Sequence, residues 1–287
     1  MQDADFPALY RSTNDFSLKS QKNFFYALKF HLLTLIFAAL LSVIKIQHWS
    51  IAAMQLISLL GALGCSIFLF SIRPEKFWYG GRAVAESIKT LTWRYVCRAE
   101  PFQAEDEIAG KEFYKKIKAV IEQNKEVCRK LNNYLDGVQI TEMMRNIRSQ
   151  PLEKRKEIYR ENRINDQHQW YTKKSKFNRI KSNTFFYLLI FINICAILCS
   201  ILLLVNIAAP FWPTDVFVAM AAAVLSWMQA KKFSELAASY ALASYEIGII
   251  KEESNSSTND GDFSIFVGDA ENAFSREHTQ WVARKDV

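Results

Sequence analysis

The sequence lacks the compact signatures that mark most catalytic and metal-binding chains. No H-E-x-x-H, G-x-S-x-G or P-loop motif occurs. The four histidines, at 31, 48, 168 and 278, never stand at metal-ligand spacing, and none of the five cysteines forms a C-x-x-C pair. That argues against both a zinc site and a disulfide framework. Glu277 and His278 adjoin near Trp281. Neighbours in sequence point about 100° apart on a helix, which suits packing better than a proton relay. An enzyme activity, a cofactor and a metal are therefore not expected. Asp3, Asp5 and Asp15 interrupt the first 20 residues, so no cleavable signal peptide is expected either, and the first apolar run must serve for insertion.

Charge is missing from two long stretches. Residues 51–72 read "IAAMQLISLLGALGCSIFLFSI" and residues 184–209 read "TFFYLLIFINICAILCSILLLVNIAA", and a mean hydropathy of −0.04 for the whole chain conceals both. About 20 apolar residues cross a hydrocarbon core of roughly 30 Å, so each stretch is long enough to span a membrane. Each has a shorter apolar partner, at 30–46 and 216–230. Lysines at the ends of these partners, lying along the apolar surface with their ammonium groups raised to the headgroups, extend them to about 28–46 and 214–232. A buried or interfacial helix is the alternative for these two. The connectors at 47–50 and 210–215 are short and each holds a tryptophan, a residue that favours the headgroup layer. The pattern is that of two transmembrane hairpins, four spans in all.

Basic residues orient them. Residues 73–183 contain 25 Lys and Arg against 15 Asp and Glu, a surplus of ten. Lys19, Lys22 and Lys29 precede the first span, Arg73 and Lys76 follow the second, Lys176, Arg179 and Lys181 precede the third, and Lys231 and Lys232 follow the fourth. Such residues near span ends stay in the cytoplasm, so both termini and the 73–183 region are expected there, in a multi-pass protein of the inner (plasma) membrane. The net charge of +7 then follows from topology and from proximity to anionic lipid, and nucleic acid is not an expected partner.

Outside the membrane the apolar periodicity continues. Trp78, Arg82, Glu86, Lys89 and Trp93 lie at helical spacing beyond the second span, with Gly80-Gly81 as a candidate kink. The fourth span likewise runs on to about Glu253. Phe113, Ile117, Val120, Cys128, Leu131 and Leu135 predict one amphipathic helix. A short helix is expected over 141–148. From Pro151 a long helix should lead straight into the third span. Residues 254–262 form a polar linker, and Asp269 is placed to cap a last helix with Phe274, His278 and Trp281 on one face. The fold expected is all-α: a four-span integral membrane protein whose hairpins continue into a cytoplasmic helical bundle. Its parts are a first stem-hairpin-stem unit (1–100), a helical insert (101–150), a second unit (151–253), and a linker with a C-terminal helix (254–287).

The two units share a mark just ahead of each hairpin. Gln21 stands three residues before Phe24-Phe25, and Gln167 three before Trp170-Tyr171. Aromatic pairs there would pack the entering stem on the leaving one; a stacked-ligand site is the alternative.

"YRENRINDQHQWYTKKS" before one hairpin and "EKFWYGGRAVAESIKTLTWRYV" after the other resemble the SLATT families, the SMODS- and SLOG-associating effector domains with two transmembrane helices. The first half, from "FPALYRS" to "WRYV", is similar to one branch. The second half, with "AENAFSREHTQWVARK", is similar to another. The resemblance covers nearly the whole chain and implies a membrane effector of bacterial conflict systems, forming a pore or perturbing the membrane when a nucleotide-sensing partner fires. The chain has no Gly-rich nucleotide-sensing fold of its own, so a separately encoded nucleotide synthase or sensor is the expected partner, beside the lipid bilayer and further copies of the chain. A non-conducting membrane anchor or scaffold is the alternative function.

Several residues carry these expectations. Ser58, Gly61, Ala62 and Cys65 share a face of the second span, and Ala219, Ala222, Ala223 and Ser226 a face of the fourth. Small residues let helix backbones approach, so both faces are candidates for helix packing. Asn193 and Ser200 share a face of the third span, either against another helix or lining a water-filled path. Phe24, Phe25, Trp78, Arg82, Glu86, Trp93, Trp170, Tyr171 and Trp281 are candidates for stem packing or gating, Arg82 and Glu86 being spaced for a local ion pair.

Overall fold

A computed structural model describes residues 1–44, 48–205, 213–254 and 257–283, with side chains described as far as residue 275. Residues 45–47 and 206–212, at the hairpin tips, and the side chains of Glu277, His278 and Trp281 lie outside the described residues. Among those described the chain is helical throughout, with no strand. After a 3-10 turn at Asp3–Asp5 come α1 (Ala8–Val43), α2 (Trp49–Ile72), α3 (Pro74–Val96), α4 (Asp106–Gln123), the one-turn α5 (Lys125–Cys128) and α6 (Glu142–Ser149). Then follow α7 (Leu152–Tyr159), a π-helix (Arg160–Asn165), α8 (Asp166–Val205), α9 (Thr214–Lys231), α10 (Phe233–Glu253) and α11 (Asp260–Ala283).

The chain divides into two compact units. The first comprises Met1–Gln21, Glu75–Thr172 and Ala241–Val287, and the second Lys22–Pro74 and Lys173–Tyr240.

The first unit has a continuous apolar core. Trp93 packs edge-on against Phe6 and Tyr159, with centroids at 6.3 and 5.7 Å. Tyr95, Phe102 and Phe113 form a second aromatic cluster within 5.0–5.8 Å of one another. Gly137 and Gln139 lie at the start of α1, where the Ala8 and Leu9 amides donate to the Val138 carbonyl and the Gln139 side chain, at 3.0 and 3.1 Å. Two of the orphan amides of that helix are thereby satisfied.

The second unit holds the four apolar segments long enough to cross a membrane, and only 6–17% of the most apolar window of each is buried. Within the first hairpin the His31 ring contacts the Ala62 carbonyl at 3.0 Å. Phe185 stacks on Phe233 at 5.4 Å in the second.

Several local expectations are corrected. The helix beginning at Asp106 stops at Gln123, because the Asn124 side chain turns back to the Val120 carbonyl (2.9 Å). Asparagine competes with the backbone in this way. Leu131 and Leu135 therefore lie beyond α4 and α5, in a loop where Tyr134 is left-handed (φ 56°). Helix α3 runs unbroken from Pro74 to Val96 through Gly80-Gly81. The pair admits neighbours: a Cβ on Gly81 would stand 3.1 Å from Ser17 Cβ, and one on Gly80 2.8 Å from Val127. Breaks come one residue after each leaving span, at Arg73 (φ 48°) and Lys232 (φ 50°). Each is left-handed and donates its amide four residues back, to Leu69 and Met228. The last helix begins nine residues before Asp269. Asn259 caps it by accepting from the Asp262 amide at 2.9 Å, while Thr258 and Asn259 donate to the Asp262 carboxylate. The polar linker is thus itself an N-cap. The long helix after Pro151 does reach the third span, but through the π-helix at Arg160–Asn165.

Candidate functional site

Three arginines that sequence reasoning passed over are deeply enclosed in the first unit: Arg148, Arg155 and Arg163, each no more than 4% exposed. Arg148 fills a gap between α3, α4 and α6. It donates to the Tyr95, Phe102 and Ala104 carbonyls at 2.7–2.9 Å and to Asp106 at 2.8 Å. Burial pulls its pKa down, and the Asp106 hydrogen bond and the Tyr95 and Asp106 charges resist. Arg155 donates to the Cys97 carbonyl (2.7 Å), the Gln150 carbonyl (3.0 Å) and the Asp260 carboxylate. Burial pushes the neighbouring Cys97 thiol well up.

Arg163, in the π-helix, is the centre of the cluster. Its Nε and Nη2 donate to the two oxygens of Glu271 on α11, both at 2.8 Å, a fork-on-fork pair. Tyr159 and Thr90 hydroxyls donate to the same carboxylate at 3.0 and 2.9 Å. Glu271 therefore receives four donors while fully buried. Burial alone would lower the Arg163 pKa, but Glu271 reverses this and holds it above its ordinary value. Burial, with Glu271 adding to it, pushes Tyr159 far up. Arg163 Nη1 and Trp93 Nε1 are buried with no hydrogen-bond partner. On the α3 side, Arg82 pairs with the buried Glu86 at 2.7 Å, and burial lowers the pKa of Lys89 against the pull of Glu86. Removing one member of such a buried pair strands the other, a loss of about 3–5 kcal/mol.

The structure brings Glu86 and Trp93 into this interior, with Trp78 half-buried on the same helix and the Ser17 hydroxyl donating to its carbonyl (2.8 Å). Of the second aromatic pair, Tyr171 is buried and Trp170 is 36% exposed. The sequence expectation gave both a packing role; on a helix adjacent side chains diverge by about 100°, and Tyr171 is the one turned further inward.

In the second unit, Phe25 and Trp227 meet at 5.8 Å, and the Lys231 ammonium lies 3.2 Å from the Phe25 centroid and 5.0 Å from that of Trp227. Phe24 is half-buried beside Phe25. Ser58 and Ala62 are buried in α2, with Cys65 half-buried. A Cβ on Gly61 would make ordinary contact with Phe30 and Thr34 of α1 at 3.8 Å. Ala223 is buried and Ala219 and Ser226 half-buried, but Ala222 is exposed, off the shared face. Asn193 and Ser200 are exposed and hydrogen-bond to their own helix, at the Leu189 carbonyl (2.8 Å) and the Ala196 carbonyl (3.0 Å). Among the described residues no three His, Cys, Asp or Glu side chains converge to hold a metal.

Family profiles cover almost all of this architecture. Residues 7–156 match SMODS and SLOG-associating 2TM effector domain 3, and residues 159–281 match SMODS and SLOG-associating 2TM effector domain 1. The chain belongs to the SLATT family. No curated protein and no solved structure gives a significant match. Two tandem SLATT domains of two transmembrane helices each account for the four apolar segments and make this a multi-pass, all-helical membrane protein of an effector family.

The arginine cluster acquires a position from that division. Thr90, Trp93 and Arg94 belong to the first SLATT copy, and Tyr159, Arg163 and Glu271 to the second. Arg94 donates to the Gly268 carbonyl (2.9 Å) and to Asn272 (2.7 Å), and Ser264 accepts from the Glu100 amide (3.0 Å) and Gln103 (2.9 Å). Helix α11 of the second copy is thus fastened along α3 and the turn after it in the first. The profiles meet at residues 157–158, one turn ahead of the π-helix. A lone Glu271 in an amphipathic helix, with Arg163 over a hundred residues away, gave no local signal.

Proposed function

We propose that this SLATT protein is a homo-oligomeric, non-enzymatic membrane effector of bacterial defence, which admits ions through the inner membrane when a separately encoded nucleotide synthase or sensor signals to its cytoplasmic unit. Both termini and the 73–183 region face the cytoplasm on this reading, as the lysine and arginine placement favours. The observation that carries the proposal is the sparse self-burial of the four spans, 6–17% of each window, together with polar Asn193 and Ser200 on the exposed surface of the third. Four helices that leave so much surface open, two of their polar groups included, have room for neighbouring copies, and a water-filled path between copies gives those groups a solvent. Purified protein in liposomes, with and without its activating partner, tests this through ion flux. Flux that depends on the partner and falls in Asn193→Leu supports the reading, and no flux under any signal overturns it.

A scaffold that anchors a partner without conducting is favoured by one contact. The Asn193 amide already donates to Leu189 within its own helix, which lowers the cost of facing lipid. Recruitment of the partner to the membrane with no ion flux in either the parent or Asn193→Leu points to that reading.

A further inference from the structure

The π-helix at Arg160–Asn165 lies between α7 and α8, and α8 continues into the third span. A π turn closes its hydrogen bonds over one more residue than an α turn, so the segment stores one surplus residue in an otherwise α-helical rod. Such a turn is the less favourable geometry and persists where something holds it. Here two kinds of contact do. Within the segment, the Asn162 amide donates to the Ile158 carbonyl (3.1 Å) and the Asn165 amide to Glu161 (2.8 Å). From outside, Glu271 of α11 grips Arg163 at both ends of its guanidinium and Tyr159 one turn earlier. The grip leaves Arg163 Nη1 and Asn165 Oδ1 buried with no partner.

We propose that α11 is a latch holding this surplus residue, and that undocking α11 lets the turn relax to α geometry and rotates α8. This rests on the reading of the chain as a signal-gated effector and supplies its regulation. Relaxation of one stored residue turns all of α8 beyond it by about 100° about its axis and shifts it by about 1.5 Å. Asn193 and Ser200 both lie on that helix, so the motion presents a different face of the third span. The latch is built to be severed. Its fastenings to the first SLATT copy are polar, through Thr90, Arg94, Gln103 and Arg155. Its N-terminus, at Thr258 to Asp262, is exposed. Glu271 holds the π-helix by hydrogen bonds, and the Phe274 ring of α11 lies 4.8 Å from the Arg163 guanidinium beside it.

The test uses the full chain in membranes, with the native cysteines replaced and single cysteines placed in turn at residues 186–200. Three versions are compared for labelling by a water-soluble maleimide: the parent, Glu271→Ala, and Glu271→Ala with Asn162 deleted. The expected result is a labelling pattern that shifts in phase by one residue in Glu271→Ala. The deletion removes the surplus residue and should restore the parental phase. Should Glu271→Ala fail to accumulate, Glu271→Gln, which keeps the side chain's shape and loses its charge, gives the same comparison with a partial shift. Identical phase in all versions overturns the latch, as does a shift that the deletion leaves in place. A phase shift without ion flux keeps the latch and rejects the conducting reading. Ion flux without a phase shift does the reverse.

Discussion

Arg163 and Asn193 lie on one run of helix, from Leu152 to Val205, and they dispose of their polar groups in opposite ways. Arg163, in the first unit, reaches across to another helix and takes the carboxylate of Glu271. Asn193, in the second, folds back to the carbonyl four residues earlier. The contrast extends to their surroundings. In the first unit Arg94, Arg148, Arg155 and Arg163 each bridge separate elements. In the second, Ser58, Ser66, Thr184, Asn193 and Ser200 all back-bond within their own helices. A water-facing bundle can recruit long charged side chains as fasteners, because each can be paired on folding. Helices in hydrocarbon satisfy polar groups locally first, and hold together through small residues and aromatic rings.

If that contrast is right, truncations in the first unit should be costly and those in the second nearly silent. The largest effect is expected for Arg148→Ala, which strips the donor from three carbonyls and leaves a cavity. A loss of about 3–5 kcal/mol is expected, read as a lower denaturant midpoint for exposure of Cys97, whose buried thiol is inert in the folded chain. A midpoint unchanged from the parent breaks the comparison. Next come the aromatics: Tyr171→Ala should destabilise by about 3 kcal/mol or more, and Trp170→Ala by distinctly less, as its greater exposure implies. Equal losses would mean that Trp170 is covered in the assembled protein.

Glycines sharpen the contrast further. Gly81→Ala forces a Cβ to within 3.3 Å of the Thr13 carbonyl and the Ser17 backbone, and should cost about 1–3 kcal/mol by overpacking. Gly64→Ala in the second unit meets nothing within 4 Å, and should be neutral or stabilise by up to about 1 kcal/mol through helix propensity. Thermal melts of the two side by side decide it, and a Gly64→Ala loss as large as that of Gly81→Ala would place a neighbouring chain against that face.

The smallest effect concerns pH. Burial raises the Cys97 thiol above its ordinary pKa of 9.0, so the folded chain holds that proton longer than the unfolded one. The stability it contributes is complete below about pH 9 and declines above it. Tyr159 acts in the same direction from its ordinary pKa of 10.0. Lys89 acts oppositely, because its lowered pKa makes stability rise toward 10.5. Cys97→Ala should therefore flatten the decline in stability between about pH 9 and 10, measured by urea unfolding; a slope identical to the parent's rejects the assignment.

The four spans and the tandem repeat were legible because lipid imposes long charge-free runs, and nothing else in a sequence looks like them. The short-range breaks were not. Gly80-Gly81 stands where neighbours pack closely, while the left-handed residues are Arg73, Arg98, Tyr134 and Lys232, and no described glycine has positive φ. Residue type announces such a position only when glycine or asparagine fills it. The linker before α11 read as polar filler, although Asn259 and Asp262 had the spacing of a helix cap. Apart from the Gln150 carbonyl, five residues from Arg155, partners of the buried arginines lie 42 to 108 residues away, and no periodicity spans such a gap. The exposed positions of Asn193 and Ser200 agree with their shared helical face, which follows from spacing alone.

The left-handed residues at Arg73 and Lys232 give the two ends of each hairpin unlike mechanical properties. Going in, α1 and α8 are uninterrupted ladders of amide bonds, and a twist applied at one end is carried rung by rung to the other. Coming out, each ladder is cut at a single left-handed residue, so the register of amide bonds in each leaving span is not shared with α3 or α10. Each SLATT copy is thus built with a continuous helix on its entering side and a jointed one on its leaving side.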